Sequence, residues 1–357
     1  MIWLILWLIS GVLLVSSRCE CGYASIAPGS DEPMVFMDLL ETDFTRIEDL
    51  SENPGWVRQQ FNVSAENARG EYGKSFMPSN IMTLSTEVEA GSGRRLGLGL
   101  RVGSAIQDDS VPAAEIDTAR RDLHWGSYRA GMKLTATNGT CAAFFWYFND
   151  TQEIDMEFLS REFNPGKGIY PMNLVIQSKQ SQQAGFDASK TGTFRRVNLD
   201  FDPTAGFHEY RFDYTPGRVR FYTDSKQVAV MNGSDMPSAA GHLILQHWSN
   251  GNPKWSGGPP AKDAMLTVSY VKAYFNSSDE QHHLTLTDKC HEAGTNGTVC
   301  LIPDVMATNA STGGAFLSDD EGNVIGQGTG DGEKSTGGRH FSPAWLLVAV
   351  MVMIWVE

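Results

Sequence analysis

The chain has 357 residues, among them 36 Gly, with 10% aromatic and 20% charged side chains and a formal net charge of −14. That length supports one large domain or two small ones around a sizeable core. The charge excludes nucleic acid as a partner, because phosphate binding needs clustered Lys and Arg; an uncharged polymer such as a polysaccharide meets no such objection.

Residues 1–17, MIWLILWLISGVLLVSS, form an apolar run closed by small residues and read as a signal peptide, although the usual basic start is missing. A signal anchor is the alternative. Residues 18–33 form a short Cys-containing segment. Export is supported by seven N-x-[ST] sequons, at Asn62, Asn138, Asn149, Asn232, Asn276, Asn296 and Asn309. Five cysteines, Cys19, Cys21, Cys141, Cys290 and Cys300, then meet an oxidising compartment. None of their spacings resembles a metal site, so neither a metal nor another cofactor is expected. Cys290 is expected to bond Cys300, one of Cys19 and Cys21 to reach Cys141, and one thiol to be left over.

From about 34 to 276, short β-like runs follow one another between Gly, Pro, Asn and Asp. Strands are expected over 127–136, 141–148, 153–159, 208–231, 242–248 and 264–275, with Pro216-Gly217 turning a hairpin inside the fourth of these. No helical pattern of comparable length competes. Many strands at turn-punctuated spacing imply an all-β sandwich of two packed antiparallel sheets.

One of these runs carries an unusual charge pattern. In TQEIDMEFLS, 151–160, Glu153, Asp155 and Glu157 alternate with Ile154, Met156 and Phe158. A strand would send all three acids to one face and the apolar residues to the other. Like charges in line are unfavourable, so the face is either open to water or a site that uses the repulsion. Aromatic residues crowd nearby: Trp125, Phe145, Trp146, Tyr147, Trp248 and Trp255. Some must be core, yet sugar rings stack on exposed aromatics, and carboxylates beside aromatics on a concave sheet suit the cutting of glycans.

Beyond the strands, 277–304 holds Cys290 and Cys300, and 305–340 has few core-forming residues and reads as a flexible spacer. Residues 341–357 end the chain in an apolar tail whose uninterrupted stretch, Ala344 to Val356, is shorter than the roughly 20 residues needed to span a bilayer. Small residues, a spacer and a brief tail match a GPI-attachment signal with Ser335, Thr336 and Gly337 as acceptor region, a short membrane anchor being the alternative. The expected location is the outer face of the plasma membrane or the cell wall.

Glu153-Ile154-Asp155-Met156-Glu157 fits E-[ILV]-D-x-E, and the chain here resembles glycoside hydrolase family 16, retaining β-glucanases with a concanavalin-like jelly roll and a concave substrate cleft. The resemblance runs through AAEIDTARRDLHWGSYRAGMKL, AAFFWYFNDTQEIDMEFL, FHEYRFDYTPGRVRFYTDSKQV and LILQHWSNG, over roughly 35–275. WSNGNPKWSGGPP and the C-terminal anchor look more like the fungal cell-wall members, including chitin-glucan transglycosylases, than like bacterial lichenases. The resemblance implies Glu153 as nucleophile and Glu157 as acid/base. Asp155 would raise the proton affinity of its neighbour by repulsion and hold the nucleophile through a hydrogen bond. It also implies donor subsites lined by Glu115, Phe145, Tyr147, Asn173, Gln246 and Trp248. Thr151-Gln152 stands where lichenases carry Trp-Asp, and Gln246-His247-Trp248 where they carry Asn-Leu-Trp, departures that bear on linkage preference rather than on the chemistry. The expectation is a secreted, surface-anchored, monomeric retaining hydrolase of β-1,3- or β-1,3-1,4-glucan. A glucan/chitin transglycosylase with the same residues, or a non-catalytic carbohydrate-binding protein, is the alternative. A glycan on Asn149, so near the acids, is expected to be absent or to point away.

Overall fold

Period-two alternation decides which side of each strand meets the core. Along Gln152–Leu159 the side chains of Ile154, Met156 and Phe158 pack with Phe144, Trp146 and Tyr210 between two sheets, while Glu153, Asp155 and Glu157 face away from that core. The computed structural model describes residues 19, 21–28, 32–85, 96–292, 298–318 and 323–324. Among them, one sheet runs in the order Phe194–Asn198, Pro171–Gln177, Gln152–Leu159, Cys141–Asn149, His242–Trp248, Ser110–Thr118, Gly73–Phe76 and Phe61–Val63. The second runs Lys226–Asn232, Arg218–Thr223, His208–Thr215, Leu123–Lys133, Ala264–Ser277 and Asp38–Asp43, with Gly97–Val102 also paired to Ala264–Ser277. The expected all-β sandwich is the observed architecture. Its central pairings are antiparallel, and each fully buried large apolar side chain between the sheets contributes about 1.5–3 kcal/mol.

Turn chemistry sets the register of the second sheet's edge. Thr215 pairs with Arg218 across Pro216-Gly217, with Gly217 at φ 67°. The run expected as one hairpin turns twice: Asp224 and Ser225, at φ 47° and 65°, make the left-handed two-residue turn that matches strand twist and add Lys226–Asn232.

The disulfides depart from expectation. Cys19 bonds Cys300 and Cys21 bonds Cys290, with Cα separations of 5.3 and 4.7 Å. Tyr23–Ile26 pairs in parallel with Cys300–Leu301, and helix Glu280–Glu292 delivers Cys290, so the two ends of the domain meet side by side. Cys141 is too far inside to join them: it is buried on the acidic face of the first sheet and remains a thiol.

Residues 305–318, expected to begin a flexible spacer, instead pack on the outer face of the second sheet. Lys272 Nζ donates to Gly313 O and Ala315 O at 2.6 Å, Glu41 accepts from the backbone of Leu317 and Ser318, and Ser269 Oγ donates to Ala310 O at 2.7 Å. The reason is both polar and apolar: Lys272 and Glu41 are buried and the segment's backbone groups satisfy them, while Val305, Ala310 and Phe316 pack with Tyr270 and Phe207. The signal-peptide stretch, the rest of the expected spacer apart from Asn323–Val324, and the C-terminal tail lie outside the described residues. Among the described residues no helix is long and apolar enough to cross a membrane.

Candidate active site

Register brings the acidic face together row by row. Arg196, Asn173, Glu157, Ala143, Gln246 and Glu115 stand across six neighbouring strands, and the next row holds Phe194, Val175, Asp155, Phe145, Ile244 and Asp117. A third row contains Gln177, Glu153, Tyr147 and His242, and Cys141 stands opposite Trp248. Every residue singled out from the sequence, Glu153, Asp155, Glu157, Glu115, Phe145, Tyr147, Asn173, Gln246 and Trp248, therefore lies on this one face. Of the crowding aromatics, Trp255 joins it, while Trp146 turns to the core, its Nε1 donating to Leu123 O, and Trp125 packs against the core with His124 stacked on it.

Loops cover the face. Asn250 Nδ2 donates to Ala68 O at 2.6 Å and Asn252 Nδ2 to Arg69 O at 2.9 Å, which ties the loop after His242–Trp248 to the segment before Gly73–Phe76 and seats Trp255 against Glu157. Glu153, Asp155 and Glu157 are only 2%, 4% and 4% exposed, so screening by open water does not explain their charge pattern. Beside them, a cavity of about 540 Å³ is lined in part by Arg161, Glu162, Asn173, Phe194, Arg196 and Trp255. Five buried polar atoms on the face have no hydrogen-bond partner among the described protein groups, Asp117 Oδ1, Glu153 Oε2, Asp155 Oδ1, Gln246 Oε1 and Trp248 Nε1, and so are open to water or to a polar ligand. No three His, Cys, Asp or Glu side chains among the described residues converge as metal ligands do.

Burial is the main cause of the proton affinities. It pushes Glu157 up to about 7, opposed by hydrogen bonds from Cys141 (Sγ···Oε1 3.6 Å) and Trp255 and by the charge of Lys74. Burial also raises Glu153 and, further, Asp155, which is raised again by repulsion from Glu153 and Glu157 and by its hydrogen bond with Glu153. Burial comes first for all three acids, with Glu153 pushed up to about 8; the hydrogen bond between Asp155 and Glu153 raises Asp155 and lowers Glu153, and repulsion from Glu157 raises both. Glu115, bonded by Gln246, is raised to about 8, again by burial first and then by Asp117.

A stability consequence follows from the sign of these shifts. A carboxyl whose folded pKa is raised contributes stability that is complete below its unfolded pKa and lost as pH rises through the folded one. The buried His242 and His247, lowered to about 3 and 4, act in the opposite sense only up to their unfolded pKa near 6.5. Between pH 6.5 and about 8 the carboxyls dominate, because Lys74 and Lys272, lowered to about 8, act in the opposite sense chiefly above that pH, so the unfolding midpoint is expected to fall across the window, a tenfold change in proton affinity corresponding to about 1.4 kcal/mol. Glu115→Gln is expected to flatten the fall, as read by thermal unfolding at several pH values; a midpoint that rises from pH 6.5 to 8 would contradict the assignment.

Sequence reasoning did not single out Lys74, Asp117 or the proximity of Cys141 to Glu157. Parity was the available signal for two of them: Asp117 shares a face with Glu115, and Cys141 with Phe145 and Tyr147. The single Lys of GKSF carries no comparable mark. Asn149 ends its strand with Oδ1 accepting from Thr151 N and Oγ1, half-buried at a turn, whereas Asn62, Asn138 and Asn232 are exposed.

The profile of glycosyl hydrolases family 16 matches residues 60–272, more than half of the chain and all nine of the residues above. The chain belongs to glycosyl hydrolases family 16. A beta-glucanase of Paenibacillus macerans is 32% identical over 141 residues, which cover 37% of this chain and 52% of that protein. One from Acetivibrio thermocellus is 26% identical over 188 residues, 51% of this chain and 52% of its own length. This family 16 chain therefore spans about half the length of the curated relatives it matches. The solved Bacillus licheniformis beta-glucanase aligns with 66% of this chain and 97% of its own at a TM-score of 0.50 and 16% identity, a likeness of fold.

Proposed function

We propose that this family 16 protein is a retaining endo-acting glycosidase of β-glucan that works through a covalent glycosyl-enzyme. The reading is carried by Glu153, Asp155 and Glu157, which share one buried face of one strand. Glu153 attacks the anomeric carbon, Glu157 protonates the departing oxygen and then deprotonates the incoming acceptor, and Asp155 holds Glu153 by its hydrogen bond. Glu115 with Gln246, Tyr147 and Trp248 bind the donor sugars by hydrogen bonding and stacking. Export to the outer face of the cell is supported by the two disulfides and by exposed sequons, and a lipid at the C-terminus by the composition of the tail.

Transfer to a sugar is the second reading: the cavity beside Asn173 and Trp255, on the Glu157 side, is lined in part by Phe194 and Trp255 and would hold a sugar ring as leaving group or as acceptor. The test is product analysis on laminarin, mixed-linkage glucan and chitin oligomers with a labelled acceptor, with the anomeric form of the first product followed by proton NMR. Shortened glucan, or label joined to glucan, with the β-anomer formed first is the expected result. An α-anomer formed first would end the retaining assignment, and binding without turnover of any of these glycans would leave a carbohydrate-binding protein.

A further inference from the structure

The sequons are unequal once the chain is folded. Asn62, Asn138 and Asn232 are exposed, Asn149, Asn276 and Asn309 are half-buried, and Asn296 lies outside the described residues. Asn309 Oδ1 accepts from Met306 N at 2.8 Å, and its Nδ2 lies against Gly314, 2.9 Å from where a Cβ on that residue would stand. Asn276 Oδ1 accepts from Met37 N at 3.1 Å, near the end of Ala264–Ser277. Asn62 and Asn232 are anchored differently. Ser75 Oγ donates to Asn62 Oδ1 at 2.8 Å and Arg218 Nε to Asn232 Oδ1 at 2.7 Å, which ties each oxygen to the neighbouring strand while the residue stays open to solvent.

Two of the three exposed sequons stand on open sheet edges. Phe61–Val63 and Lys226–Asn232 each end a sheet, with no further strand beyond them among the described residues, so each offers a row of backbone groups to which another strand could pair. Charge does little to guard them. Phe61 and Val63 flank Asn62, and Gln227-Val228-Ala229-Val230-Met231 leads uncharged to Asn232. Edge strands of that composition are templates for association. The edge at the other end of the first sheet, Phe194–Asn198, is instead guarded by exposed Arg195 and Arg196.

Resting on the export proposed above, we propose that Asn62 and Asn232 carry N-linked glycans that shield the two open edges. Asn138, in the loop between Leu123–Lys133 and Cys141–Asn149, carries a glycan away from any edge, and Asn149, Asn276 and Asn309 stay bare. In each transfer Nδ2 displaces a lipid diphosphate from C1 of an oligosaccharide: the N–C1 bond forms, the C1–O bond to phosphate breaks, and the amide proton leaves with the diphosphate. The donor is a lipid-linked oligosaccharide of the secretory compartment, and the hydroxyls of Ser64, Thr140 and Ser234 complete the three acceptor sequons. A glycan is bulky and hydrated, so beside an unpaired strand it excludes a second chain without altering the sheet.

The test uses the whole chain, produced through the secretory pathway of a eukaryotic cell. Its peptides are mapped after a glycan amidase in heavy-oxygen water has turned each glycosylated Asn into labelled Asp. Label at Asn62, Asn138 and Asn232, and none at Asn149, Asn276 or Asn309, is the expected result. Association is then followed by size exclusion and light scattering below the unfolding midpoint. Asn62→Gln combined with Asn232→Gln is expected to shift into larger species, whereas Asn138→Gln, which loses a glycan but bares no edge, is expected to behave as the parent. Parent protein trimmed natively by an endoglycosidase keeps every side chain and is expected to associate as the double variant does, which separates the sugar from the hydrogen bonds of Asn62 and Asn232 and serves if the double variant does not fold. Bare Asn62 or Asn232 in exported protein, a glycan on Asn149, Asn276 or Asn309, or trimmed parent no more prone to association than Asn138→Gln would overturn the proposal. Protein that stays inside the cell with Cys19, Cys21, Cys290 and Cys300 as thiols would remove the export reading and this one with it, so the two failures are distinguishable.

Discussion

Glu157→Gln is expected to lower kcat on an unactivated β-glucan by about 10²–10⁴-fold, the range that a positioned general acid supplies. An aryl glycoside with a good leaving group needs that proton less, so its cleavage step is expected to suffer far less than that of the natural linkage. Glu153→Gln removes the nucleophile and is expected to lose turnover on both substrates, since an amide does not form the covalent intermediate. Neither change should unfold the protein. Gln is nearly isosteric with Glu, and both carboxyls are raised by burial, so exchanging one for a neutral amide removes an ionisation that is unfavourable at alkaline pH. Values of kcat/KM on both substrates, which report the steps through cleavage and not the later attack of the acceptor, check this, together with unfolding midpoints at pH 6.5 and 8. If Glu157→Gln lowered kcat/KM equally on the two substrates, Glu157 would not be the general acid, and loss of fold with activity in either variant would point to a structural role.

Loss of both disulfides is the second large effect. Cys19–Cys300 and Cys21–Cys290 close chain separations of 281 and 269 residues and join the N-terminal strand to the helix and strand that follow the sandwich. The two loops are nearly coincident, so either bond alone retains most of the restriction on the unfolded chain. Removing one is therefore expected to have a modest effect, and removing both, as in Cys19→Ser with Cys21→Ser, to cost about 2–5 kcal/mol. For a domain of this size that corresponds to a fall in unfolding midpoint of about 5–15 °C. Calorimetry of the two single variants and the double variant decides the matter. A double variant that melts with the parent would show that the strand pairing and the packing of 305–318 hold the ends without covalent help.

Much of the site was legible in a ten-residue alternation. A strand has a period of two, so acids at 153, 155 and 157 necessarily share a face, and the same parity separates Phe145 and Tyr147 from Trp146. Turn residues were equally local: Pro216-Gly217 specifies its hairpin from a few residues of chain. Mutual register across strands is different, because it depends on which strands become neighbours. That is why Asn173, Glu157, Gln246 and Glu115 fall into one row, and why Cys19 and Cys21 find Cys300 and Cys290 while Cys141 is enclosed. Only the folded sheet carries Lys74 to Trp248 across a long chain separation, and only the covering loops make the face dry. Alternation along a strand is fixed by backbone geometry within a few residues and so can be read from the chain. Proton affinities and charge sharing depend on desolvation by distant segments, and they exist only once those segments have packed together.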